Sequence, residues 1–151
     1  MTKCKVNVEY LPDYDKSWGP VKKNTPDDAG FDLRACFSDD YILLAPEEYT
    51  LIPLGIKTEF TPGFEAQVRA RSGLALKKGV GLVNGIGTID AGYRGEWGAI
   101  VINHGKEPVV FNRGDRIAQV VFNELPQIEV VEGDVSTDGD RGGGFGSSGV
   151  K

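Results

Sequence analysis

Residues 50–69 read Thr50-Leu51-Ile52-Pro53-Leu54-Gly55-Ile56-Lys57-Thr58-Glu59-Phe60-Thr61-Pro62-Gly63-Phe64-Glu65-Ala66-Gln67-Val68-Arg69. Short apolar or alternating runs, Thr50–Pro53, Ile56–Phe60 and Phe64–Arg69, are set between turn residues such as Thr61-Pro62-Gly63. Alternation at period two gives a strand one face for a core and one for the outside. The same rhythm extends in both directions. Val6, Val8 and Tyr10 alternate with polar residues, and Tyr41–Leu44, Trp97–Asn103, Ile117–Phe122 and Ile128–Val131 continue the series. Turn signals recur at Asn84-Gly85, Ala91-Gly92, His104-Gly105 and Asn112-Arg113-Gly114-Asp115. Many short strands at this spacing predict an all-β fold, a sandwich or jelly roll. Only Ser72–Lys77 offers a helix, of about one turn. No internal repeat or interdomain linker is visible.

The length, 151 residues, suits one domain with a core large enough to fold unaided. The reading is a β-sandwich body over residues 1–132 and a C-terminal arm over 133–151. From Glu129 to Asp140 that arm is acidic and has no basic residue. A net charge of −5 argues against a nucleic-acid binder, which would carry a basic face. It leaves room for a small anionic substrate held by a few arginines. The N-terminus lacks the apolar run of a signal peptide, and no segment approaches a membrane span. Cys4 and Cys36 lie in no metal or redox spacing, so reduced thiols in a cytoplasmic protein are expected. His104 is the only histidine, and its neighbours Asn103, Gly105 and Lys106 read as a surface turn. Ala99-Ile100-Val101-Ile102 and Gln119-Val120-Val121-Phe122 are apolar on both strand faces, which favours burial of one face against another subunit.

Several segments could carry chemistry. The tail Asp140-Arg141-Gly142-Gly143-Gly144-Phe145-Gly146-Ser147-Ser148-Gly149 places an arginine and an aromatic ring among glycines. Glycine backbone can converge on an anion, arginine offers a planar fork for phosphate, and a ring offers a face for a base. The stretch Asn84-Gly85-Ile86-Gly87-Thr88-Ile89-Asp90-Ala91-Gly92-Tyr93-Arg94-Gly95-Glu96 reads as a β-hairpin bending near Asp90–Gly92. Asp90 alone reads as a turn former, and Tyr93 alone as a packed aromatic. Together, beside small residues that expose backbone, they suit a slot for a pyrimidine. Arg69-Ala70-Arg71-Ser72-Gly73 and Gly114-Asp115-Arg116-Ile117-Ala118-Gln119 read as phosphate grips or as turns with solvated charges. Asp32 stands where a strand is expected, with Arg34 on the same face as its ordinary salt-bridge partner.

In these residues the chain resembles the trimeric dUTP pyrophosphatases (dUTPases), whose ordered motifs all appear here. They are Ala29-Gly30-Phe31-Asp32-Leu33, then Arg71-Ser72-Gly73, then Gly87-Thr88-Ile89-Asp90 with Tyr93-Arg94-Gly95-Glu96. Gly114-Asp115-Arg116-Ile117-Ala118-Gln119 and the tail from Arg141 to Gly149 complete the order. Ala70 departs from the pattern, where the family often has proline.

The resemblance implies a jelly-roll homotrimer with active sites shared between subunits. It also implies hydrolysis of dUTP to dUMP and pyrophosphate with Mg²⁺. Asp90 is then expected to activate the attacking water, and Gln119 to touch the α-phosphate or that water. Asn84, Gly87, Thr88, Ile89 and Gly98 are expected to read uracil, and Tyr93 to pack on the deoxyribose. Arg71, Ser72 and Gly73 would hold phosphates. Arg141, Gly146, Ser147 and Ser148 would close over the γ-phosphate while Phe145 stacks on the base. Asp32 is expected to meet the metal through water, since Mg²⁺ prefers phosphate oxygens and waters. Two rivals are a dCTP deaminase-like enzyme, for which Glu96 is the nearby proton shuttle, and a non-enzymatic trimeric nucleotide-sensing module.

Overall fold

The computed structural model describes residues 2–151. Among them run eleven strands and one α-helix. The strands are β1 (Val6–Tyr10), β2 (Phe31–Arg34), β3 (Tyr41–Leu44), β4 (Tyr49–Pro53), β5 (Ile56–Phe60) and β6 (Phe64–Arg69). After the helix α1 (Ser72–Lys78) come β7 (Val80–Leu82), β8 (Gly87–Asp90), β9 (Gly98–Asn103), β10 (Val109–Asn112) and β11 (Arg116–Glu124). A 3-10 turn at Lys16–Trp18 is capped by Asp15, whose side chain accepts from the Ser17 N–H. The bonds from Ser17 hold the Asp15 carboxyl below its ordinary range.

The sheets have the orders β2-β11-β6-β8, β4-β9-β7, β1-β5 and β10-β3, with every pair antiparallel. Among the described residues no strand pairs with its neighbour in sequence. Residues 50–69 show how this happens. β4 bonds β9, β5 bonds β1, and β6 bonds β11 and β8. Each turn between them therefore carries the chain from one sheet to another, which is the jelly-roll habit. Gly63, at φ +90, supplies the turn between β5 and β6.

Alternation decides which side faces the core. On β6, Phe64, Ala66 and Val68 are buried, and on β9, Ala99 and Val101 are buried. They pack with Leu33, Ile52, Ile56, Phe111, Ile117 and Val120 into one cluster. Trp97 is fully buried just before β9 and donates to Thr58 Oγ1 at 3.0 Å. Cys36 is a free, buried thiol, and burial raises its pKa. A Cβ on the adjacent Gly55 would come within 2.8 Å of Cys36 Cβ.

Some expectations change. The helix is two turns long and ends at Gly79, whose left-handed backbone returns its N–H to Leu74 and Ala75. Ile128–Val131 forms no strand, and Ile128, Val130 and Val131 are exposed. Their alternation needs a pairing edge that the single chain does not offer. The segment 84–96 bends at Asp90–Tyr93, but it is not a paired hairpin. β8 joins β6, whereas β9 belongs to another sheet. Tertiary pairing overrides the local signal.

Candidate nucleotide site

The bend after β8 opens a pocket of about 370 Å³. Asn84, Gly87, Thr88, Ile89, Asp90, Tyr93 and Gly98 line it, so the structure brings together the predicted base-and-sugar set except Phe145. The turn at Asn84-Gly85 depends on Gly85, at φ +69. Tyr93 is fixed twice. Its N–H donates to Asp90 O at 3.0 Å, and its hydroxyl donates to Glu96 O at 2.9 Å. Its ring also fills the space beside Gly95, where a Cβ would lie 2.6 Å from Tyr93 Cζ. Glu96 lines the same pocket. So do Leu51, Pro53, Trp97 and Ile100, which the sequence motifs did not mark. For Leu51, Pro53 and Ile100 the signal lies in the β4–β9 register, where Leu51 faces Ile100 and Pro53 faces Gly98.

The predicted phosphate set assembles elsewhere. Arg71 Nε lies 3.3 Å from Asp32 Oδ1, and Arg116 Nη1 lies 3.5 Å from Asp32 Oδ2. Arg71 also donates to Arg116 O at 2.9 Å. Arg34 is not the partner of Asp32; it donates to Gly114 O at 2.8 Å. A register shift between Arg116 and Ala118 explains the grouping. The bulge lets consecutive Ile117 and Ala118 both enter the core. It also leaves Arg116 opposite Arg34 and Gln119 opposite Asp32, on one face. Simple alternation would have put Arg116 and Gln119 on opposite faces. Gln119 donates to Ala70 O at 3.1 Å, and its amide fills the space a Gly30 side chain would need. Ser72 and Gly73 open α1 beside this group and are exposed.

Cross-strand pairing connects the two groups. Asp90 stands opposite Glu65, and Gln119 opposite Arg69, at the two ends of β6. Between them runs a ladder on the same face, Arg69 to Gln67 at 2.6 Å and Gln67 to Glu65 at 3.2 Å. Four residues of strand span about 13 Å. Asp90 and Gln119 of one chain therefore cannot meet on one phosphate.

The tail stands apart from both groups. No helix or strand is assigned beyond Glu124. Phe145 is fully exposed at φ +48. Ser147 N–H donates to Gly144 O at 3.0 Å, and Gly144 N–H donates to Ser147 Oγ at 2.8 Å. Phe145, Gly146, Ser147 and Ser148 thus form a local turn, and neither they nor Arg141 line the pocket after β8 in the single chain.

Among the described residues no cluster of three or more His, Cys, Asp or Glu could cage an ion. Both Asp32 oxygens already face guanidinium groups. That set does not fit an all-protein cage. No helix among the described residues is long and apolar enough to cross a membrane.

The family model described as dUTPase matches residues 16–149. The deoxyuridine 5'-triphosphate nucleotidohydrolase of Anaeromyxobacter sp. (strain Fw109-5) is 54% identical over 123 residues, covering 80% of this chain and 81% of that protein. The nucleotidohydrolase of the same description from Maricaulis maris (strain MCS10) is 45% identical over 153 residues, covering 100% of both. A variant dUTPase of Staphylococcus bacteriophage 80alpha, solved with dUpNHpp, superposes with a TM-score of 0.75. It is 25% identical and covers 97% of this chain and 99% of its own.

Proposed function

The chain belongs to the dUTPase family, and from that premise we propose that it hydrolyses dUTP to dUMP and pyrophosphate in a site shared between subunits. The observation that carries this reading is the pocket that gathers Asn84, Gly87–Asp90, Tyr93 and Gly98 around one base-sized space. Uracil presents an N3–H donor between two carbonyl acceptors. Asn84 and the backbone of Gly87, Thr88, Ile89 and Gly98 offer complementary groups. Cytosine reverses part of that pattern and would leave buried polar groups unpaired. Tyr93, pinned on both sides, packs on deoxyribose and leaves no room for a 2′-hydroxyl.

Asp90 holds a water and takes its proton as the oxygen attacks the α-phosphorus. The new P–O bond forms as the bond to the bridging oxygen breaks, and pyrophosphate leaves. A carboxylate is a weak base, so its placement of the water matters as much as its basicity. Arg71, Ser72, Gly73 and Gln119 hold the phosphates from a second subunit, a reading supported by the separation of Gln119 from Asp90 along β6. Mg²⁺, when bound, would offset phosphate charge, and Asp32 would be its partner through water. The arm over 133–151 brings Arg141, Gly146, Ser147 and Ser148 to the γ-phosphate and Phe145 onto the base. A homotrimer also covers the apolar outer edge formed by Tyr49, Leu51, Ile100 and Ile102. Two free cysteines suit the reducing cytoplasm.

The test is product analysis with dUTP, dCTP and UTP. Pyrophosphate and dUMP from dUTP are the expected outcome. Ammonia from dCTP would favour a deaminase using Glu96, and binding without turnover would favour a sensing module.

A further inference from the structure

Charge is unevenly distributed along the chain. Glu129, Glu132, Asp134, Asp138 and Asp140 stand within one short segment of the arm, with no basic residue among them. These five carboxylates equal the whole net charge of −5, so the remainder of the chain is balanced. Every residue of the segment is exposed, and among the described residues none of the five has an ion-pair partner. Like charges this dense repel one another unless a surface of opposite sign meets them.

Such a surface lies between α1 and β10. A pocket of about 280 Å³ beside the Arg71–Arg116 group and one of about 680 Å³ beyond it share Lys78, Val109 and Val110, so the two form one groove. Arg34, Arg71 and Arg116 line its inner end, and Lys77, Lys78 and Lys106 its outer end. A Cβ on Gly105 would lie 2.6 Å from Lys78 O, which sets Lys106 beside the end of the helix. The arginines already have partners in Gly114 O and Asp32. The lysines are exposed and, among the described residues, form no ion pair. The groove's own carboxylates are Glu107 and Asp115, and Asp115 accepts from the Asn112 N–H at 2.7 Å.

The order of residues in the arm fixes its direction. With Phe145 on the base and Arg141 at the γ-phosphate, the residues before Arg141 continue past the phosphates, away from the base. The groove begins there, at Arg71 and Arg116. From Ser72 to Lys78 the helix rises about 9 Å. Three residues of extended chain, from Arg141 back to Asp138, span about 10 Å. Asp138 thus reaches the lysine cluster, and Asp134 follows it outward. The arm leaves its own body at Glu124, which β11 carries about 26 Å from Arg116. A shared site places the groove it meets on a neighbouring chain.

We propose that the groove between α1 and β10 is the docking track for the acidic segment Glu129–Asp140 of a neighbouring chain, with Lys77, Lys78 and Lys106 as its charge partners. The inference rests on the proposed dUTP site. Opposite charge draws the arm toward the site before Arg141 meets phosphate, and the attraction weakens as salt is added.

Two measurements test it. Carbodiimide joins a lysine to a carboxylate without a spacer, so it reports direct contact. In an equal, co-refolded mixture of full-length chains carrying light and heavy nitrogen, with a non-hydrolysable dUTP analogue, Lys77, Lys78 or Lys106 should be linked to Asp134 or Asp138. Mass spectrometry should find mixed light–heavy pairs among those links. Links only within one chain, or arm carboxylates joined to no lysine of the groove, overturn the inference. This readout needs no turnover, so failure of the dUTP reading and failure of the docking track are separate outcomes. In kinetics at low salt, Lys77→Glu with Lys78→Glu should raise KM for dUTP about twofold to fivefold per lost pair. The rise should shrink at high salt. Adding Asp134→Lys and Asp138→Lys to the same chain should recover most of the loss. A rise without recovery would assign the lysines to another anion, nucleic acid or free pyrophosphate, and overturn the inference.

Discussion

Tyr93 owes its position to a residue without a side chain. Its ring lies where Gly95 would carry a Cβ, at 2.6 Å from Tyr93 Cζ. Gly95→Ala should push the ring off the sugar position and narrow the preference for dUTP over UTP, measured as a ratio of kcat/KM. An unchanged ratio would remove Tyr93 from sugar selection. Asp90→Asn keeps the size and the turn but loses the proton acceptor. Turnover should fall on the order of 10²–10⁴-fold while nucleotide still binds, checked by single-turnover kinetics beside calorimetry. At this scale the sequence marked the residues of the 84–98 pocket wall because they are contiguous. It did not mark Leu51, Pro53 or Ile100, which reach the pocket only through the β4–β9 ladder, nor Trp97, which enters the pocket wall just before β9. The partnership of Asp32 with Arg71 and Arg116 was hidden for another reason. One bulged residue in β11 reverses the face on which Arg116 emerges.

Strands were the legible elements. Short apolar or alternating runs located seven of the eleven, β1, β3, β4, β5, β6, β9 and β11, whereas β7 and β10 went unmarked. Pairing was less legible, since each partner is remote in sequence and the apparent hairpin at 84–96 is split between two sheets. The tail is the opposite case, with meaning in its residues and little in its local structure. Six of its backbone positions have positive φ: Gly139, Gly142, Gly143, Phe145, Gly146 and Gly149. Its hydrogen bonds are short-range turns. A chain ending at Gly139 should therefore fold and assemble as the full chain does, yet hydrolyse dUTP poorly. Phe145→Trp should change its fluorescence more with a non-hydrolysable dUTP analogue than with dUMP, which lacks the terminal phosphates. Equal signals would show that the γ-phosphate does not recruit the tail.

For the molecule as a whole, the proposed shared site makes activity depend on assembly. The trimer should persist on dilution in light scattering over the range where activity persists, and a fully active monomer would contradict the shared site. Strand partners distant in sequence also mean that loop closure precedes most pairing, which slows folding. The distance along β6 between Asp90 and the Arg69–Gln119 pair has a genetic consequence. If each site takes its water-activating carboxylate from one chain and its phosphate grip from another, two inactive alleles can rescue each other. Asp90→Asn and Arg71→Ala chains should each be nearly inactive alone. Refolded together in equal amounts, they should regain activity at about one quarter of the interfaces, the share in which chance pairs an intact Asp90 with an intact Arg71.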